Sequence, residues 1–125
     1  MIEVPVSWGE LVDKITILEI KAERIDDAKK LANVTRELWL LNRKLTPVAT
    51  QVLRLKLKLK EVNTALWEIE DEIRDCEREQ NFGPRFIELA RAVYVTNDQR
   101  ADVKREINFA LSSELVEEKS YRPYA

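Results

Sequence analysis

From Val34 to Cys76 apolar residues recur with strict 4,3 spacing, at Val34, Leu38, Leu41, Leu45, Val48, Val52, Leu55, Leu59, Val62, Leu66, Ile69, Ile73 and Cys76. Residues three and four apart share one side only on an α-helix, so this run is a helical seam of the coiled-coil type. Such a stripe is stable in water only when covered, and the flanking segments are expected to fold back on it. The expected fold is all-α: an antiparallel helical bundle built on a long coiled-coil-like helical hairpin. Two glycines and four prolines among 125 residues, of which 35% are charged and 45% apolar, fit long helices and exclude disorder. The length suits a single domain over 1–125, with 1–6 as an extended N-terminal arm and 116–125 as a C-terminal tail.

The first helix opens on a capping box. Ser7 is its N-cap, Glu10 lies three residues on, and Val6 and Leu11 hold the hydrophobic-staple positions. Trp8, Leu11, Val12, Ile15, Leu18, Ala22 and Ile25 then share one face, while Ile17 and Ile20 lie nearly opposite. A helix apolar on two sides is either sandwiched within a fold or in contact with another subunit. Leu53, Leu57 and Trp67 give the third helix a second apolar face too, and together these faces point to a homodimer. The first reversal is expected over Asp26–Asn33. Thr46-Pro47 reads as N-cap and first-turn proline of a new helix, and because the seam keeps its phase across Pro47, a kink or nearly collinear restart is favoured over a sharp corner. Asn81-Phe82-Gly83 reads as a turn and Pro84 as the start of the last helix, expected to run through Asn97-Asp98 with little interruption. The tail is expected to dock through Tyr121 and Tyr124.

The chain has no histidine, which excludes His-based triads, the usual zinc sites and imidazole acid–base catalysis. Cys76, the only cysteine, lies on the seam and reads as a small buried residue of a reducing compartment. A formal charge of −2 argues against a nucleic-acid partner. With no leader-like start and no apolar run of membrane-spanning length, the expectation is a cytoplasmic protein that makes no membrane contact. Leu53 to Lys60 alternates with period two, but on a helix Arg54, Lys56, Lys58 and Lys60 fan around the circumference and form no basic stripe. Glu68, Glu72, Asp75 and Glu79 share a helical face that could hold Mg²⁺, as paired helical carboxylates do in all-α nucleotide pyrophosphatases; the solvated acidic face is the simpler reading, so no metal and no cofactor is called for.

Polar residues inside the apolar stripes are more informative. Glu19 projects between Trp8, Val12 and Ile15 on the wheel of the first helix. If the last helix is continuous, Asn97, Arg100, Lys104 and Asn108 share the stripe of Phe86, Ala90, Val93 and Leu111. Buried charges need partners, so Glu19 is expected to meet Arg100 or Lys104, with Glu70 joining from the flank of the seam. The same cluster serves either as an internal ion-pair network or as a pocket for a small anionic ligand.

Val4-Pro-Val-Ser-Trp-Gly-Glu-Leu-Val-Asp-Lys-Ile-Thr-Ile-Leu-Glu-Ile-Lys21 resembles a V-P-x-S-x-G-E-L-x-D-K-x-T-I-L-x-I-K opening shared by a family of bacterial and phage proteins of unknown function. Ala65-Leu-Trp-x-Ile-Glu-Asp71, Phe86-Ile-Glu-Leu-Ala-Arg91, Asn97-Asp98 and Lys104-Arg-Glu-Ile-Asn108 extend the resemblance over nearly the whole chain. It implies an all-helical protein, sometimes encoded near glycan-synthesis genes, and supplies neither an activity nor catalytic residues. Two classes of function follow. One is a cytoplasmic helical interaction or assembly module; the other is a small all-α ligand-binding protein or enzyme acting on a phosphate- or carboxylate-bearing metabolite. The sequence does not decide whether the protein is an enzyme.

Overall fold

In the computed structural model, which describes residues 1–124, Ser7 starts the first helix as the capping box requires: its hydroxyl accepts from the Glu10 N–H at 3.1 Å. Helix α1 runs Trp8–Arg24, preceded by an exposed arm, and its other first-turn donors are also taken. The Trp8 N–H donates to Ser113 Oγ at 3.2 Å and the Gly9 N–H to Asn108 Oδ1 at 2.6 Å, so the end of the chain completes the cap of its beginning. Ser7→Ala is expected to cost about 0.5–2 kcal/mol, read as a lower urea midpoint, with an unchanged midpoint ruling the cap out as a contributor.

Asp27 caps the next helix, accepting from the Lys30 N–H at 2.8 Å, so α2 spans Ala28–Leu45. The reversal is thus confined to Ile25–Asp27 rather than spread over Asp26–Asn33. Thr46–Val52 is a 3₁₀ segment, α3 covers Leu53–Arg78 and α4 covers Pro84–Ala110. The turn before α4 is held by Asn81, whose side chain accepts from the Gly83 N–H at 3.1 Å, and Gln80 leaves α3 in the left-handed region with φ 53°. Helix α4 passes through Asn97-Asp98 without a break. No strand occurs among the described residues.

The expectation at Pro47 fails. A straight helix from Ala28 to Glu68 would be about 60 Å long. Yet Arg24, four residues before Ala28, reaches Glu68 at 2.8 Å, and Glu23 pairs with Lys60. The chain therefore folds back through the 3₁₀ segment. Lys14 lies 4.0 Å from Glu37, as an antiparallel α1–α2 hairpin demands, and α1 also packs on α3 and α4, whereas α2 packs on neither of them. Helix α1 is thus the middle layer, with α2 on one side and the long α3–α4 hairpin on the other. Seam phase survived because phase fixes which side of a helix is apolar and says nothing about the direction of the next helix.

Leu11, Val12, Ile15, Leu45, Val52, Leu59, Val103 and Ile107 form the core, where α1, both sides of the reversal and α4 converge. Every seam residue from Val34 to Cys76 is buried or half-buried. Ile20, at 1% exposure, and the half-buried Ile17 are covered within one chain, so the second apolar side of α1 calls for no other subunit. Leu53 and Leu57 on α3 do remain exposed, at 55% and 60%.

Candidate functional site

The first turns of α1 meet the last turns of α4 at unusually short range. A Cβ built on Gly9 would stand 2.5 Å from the Lys104 carbonyl oxygen and 3.0 Å from Asn108 Oδ1, so only glycine admits this approach. Close contact brings the polar side chains of the two helices into register. Lys104 Nζ donates to Glu10 at 2.9 Å and to Glu117 of the tail at 2.7 Å. One turn deeper, Arg100 forks onto Asp13, Nε to Oδ1 at 2.9 Å and Nη2 to Oδ2 at 2.5 Å.

Asp13 is 1% exposed, yet its carboxylate is fully served. Asn63 of α3 donates from Nδ2 to Asp13 Oδ1 and to Thr16 Oγ1, both at 2.9 Å, and the Thr16 hydroxyl donates to the Asp13 carbonyl at 2.8 Å. Burial acts to raise the Asp13 pKa, but the hydrogen bonds from Arg100 and Asn63 and the charges of Arg100 and Lys104 outweigh it and hold the carboxyl below its ordinary value. Lys104 is likewise pulled down by burial and lifted further by Glu117 and Glu10, so it stays charged. The bond from Lys104 depresses Glu117. No buried side-chain polar atom among the described residues lacks a partner.

Four of the residues expected at the site are gathered here. Arg100 and Lys104 face α1; Asn97 accepts from Arg100 Nη1 at 3.5 Å, and Asn108 caps Gly9. Glu19 is not among them. It pairs with Lys56 of α3 at 3.2 Å, because it lies two turns further along α1 than the α4 contact, a displacement along the axis that a helical wheel does not display. Glu70 is exposed and pairs with Arg74 at 3.6 Å on its own helix, also away from the cluster. The carboxylate that meets Arg100 is Asp13, which the sequence reading missed. Its signal was present: Asp13 stands at i−4 and i−7 to Ile17 and Ile20, at the head of the second apolar stripe.

The acidic face of α3 is largely matched by arginines: Glu68 with Arg24, Glu72 with Arg85, Asp75 with Arg78. The tail docks through Tyr124, which meets Tyr94 edge-on at 5.2 Å, while Tyr121 stays 79% exposed. Between α4 and this tail lies an open groove of about 760 Å³, lined by Asn97, Lys104 and Asn108 together with Tyr94, Lys119 and Arg122. Asn108, whose Oδ1 accepts from the Gly9 N–H, joins this groove to the first turn of α1.

The polar residues of the opening stretch are thus spent on folding: Ser7 caps, Glu10 holds Lys104, Asp13 holds Arg100, Lys14 lies near Glu37, and Thr16 anchors Asn63. A family model described as a family of unknown function (DUF6165) matches residues 2–124. No curated protein and no solved structure matches the chain.

Proposed function

The chain belongs to the DUF6165 family, and we propose that this member is a cytoplasmic helical interaction module, acting through its outer surface rather than through chemistry at its buried polar cluster. One observation carries this reading. Both inward cations, Arg100 and Lys104, are already neutralised by carboxylates of the same chain, at 2.5 Å from Asp13 and at 2.9 and 2.7 Å from Glu10 and Glu117. An anionic ligand would have to displace them. Uncovered bulk lies outside instead, with Trp39 at 58%, Leu57 at 60% and Phe109 at 89% exposure. No helix is long and apolar enough to cross a membrane among the described residues.

Thermal melts test it. Inorganic phosphate, nucleotide sugars and dicarboxylates should leave the wild-type Tm without a saturable rise, since a ligand bound only by the folded state must raise it. A saturable rise would favour the second reading, a ligand-binding protein or enzyme using the groove beside the tail, which Asn108 lines. Asn108→Asp separates the two: it keeps an acceptor for the Gly9 N–H but removes the donor, and should abolish such a rise.

A further inference from the structure

Helix α2 carries Lys29, Lys30, Arg36, Arg43 and Lys44 against the single carboxylate of Glu37, in a chain of formal charge −2. None of these five cations takes part in an ion pair among the described residues. Lys29, Arg36 and Arg43 recur every seven residues, all exposed, along the crest opposite the seam. Beside that crest runs a shallow groove of about 650 Å³ lined by Ala28, Leu31, Ala32, Thr35, Arg36 and Trp39. Arg43 stacks over the Trp39 ring, 4.9 Å from its centroid.

The same chain carries the complement. On α3 the exposed carboxylates Glu61, Glu68 and Asp75 also recur every seven residues, on the side away from the seam, and the exposed Leu53 and Leu57 lead into them. We infer that the basic crest of α2 docks on the acidic crest of α3 of a second copy of this chain. Resting on the interaction-module reading, this names its partner and surfaces. In an antiparallel register that sets Arg43 against Glu61, Arg36 falls against Glu68 and Lys29 against Asp75, so each cation of one crest meets a carboxylate of the other. Glu61 has no ion-pair partner among the described residues, whereas Glu68 and Asp75 also hold Arg24 and Arg78 of their own chain.

Charge and side-chain size decide against the other occupants. Pairing α2 with α2 of a second copy would set cations against cations. A lipid surface demands a broad apolar face to insert, and the broad face of α2 is buried on α1; what is left is alanine, threonine, the half-buried Leu31 and one tryptophan. Small residues of that kind let a second helix approach closely. Because α2 and α3 flank α1 on opposite sides, the contact is head-to-tail and passes from copy to copy until a ring closes.

Light scattering over a dilution series tests this. Wild type should form species larger than 14.7 kDa. Arg43→Glu and Glu61→Arg should each weaken association at least about tenfold, as like charges replace a pair. A one-to-one mixture of the two variants should restore it, because each then meets an opposite charge. Arg91→Glu, the same charge change at an exposed site off both crests, should have no effect. Monomeric wild type at every concentration, association indifferent to the swaps, or a mixture that fails to reassociate would each overturn the inference. So would wild-type binding to phosphatidylglycerol vesicles that Arg43→Glu abolishes, which would assign the face to lipid. The anion melts judge the broader reading independently of all these outcomes.

Discussion

Arg100→Met is expected to remove about 3–5 kcal/mol of stability at neutral pH, the cost of leaving one member of a buried ion pair without its partner. The group left behind is the worse one: Asp13 is 1% exposed, whereas the Arg100 side chain keeps 30% exposure and can turn toward water. For that reason Asp13→Asn should cost less than Arg100→Met, and adding Asp13→Asn to the Arg100→Met background should recover much of the loss. The pH dependence should change sign. In the wild type the folded-state pKa of Asp13 is depressed, so its contribution is complete above the unfolded carboxylate value and disappears as pH falls through the lower folded one. Without Arg100 the burial effect, the largest acting on Asp13, loses its main opponent and the folded pKa rises. Protonation then relieves the variant, so its deficit against wild type should shrink between pH 7 and the carboxylate range near pH 4. Urea melts at the two pH values decide this; an equal deficit at both would mean that Asp13 is not the stranded charge.

Gly9→Ala should destabilise, against the usual direction. Within an ordinary helix this substitution gains up to about 1 kcal/mol because alanine has less backbone freedom to lose. Here the added methyl would sit 2.5 Å from the Lys104 carbonyl oxygen, a backbone atom that cannot swing aside, so α1 and α4 must move apart. Overpacking of this kind costs about 1–3 kcal/mol, and separation also stretches the 2.6 Å bond from the Gly9 N–H to Asn108. Faster amide exchange at Gly9 with a lowered Tm is the expected pair of observations. A variant as stable as wild type would mean that the helix crossing is looser than its geometry.

Sequence alone determined what is local and periodic. The seam, the Ser7 cap, the turn at Asn81-Phe82-Gly83 and the unbroken α4 depend on neighbours within a turn or two, and 3.6-residue geometry carries them directly. It also placed Asn97, Arg100, Lys104 and Asn108 on one stripe, since the helix runs through Asn97-Asp98. Only the tertiary structure decided where those residues point and what they meet. Seam phase cannot give the direction of the chain after Pro47, so the reversal that makes α1 the middle layer was not legible. Angle on a wheel does not include position along the axis, so Glu19, at the right angle but two turns too far, was chosen over Asp13. The second apolar side of α1 carried the same ambiguity: Ile20 reads as a subunit contact until the other helices are folded against α1, because burial is a property of what the remaining chain covers and not of the helix that carries the residue.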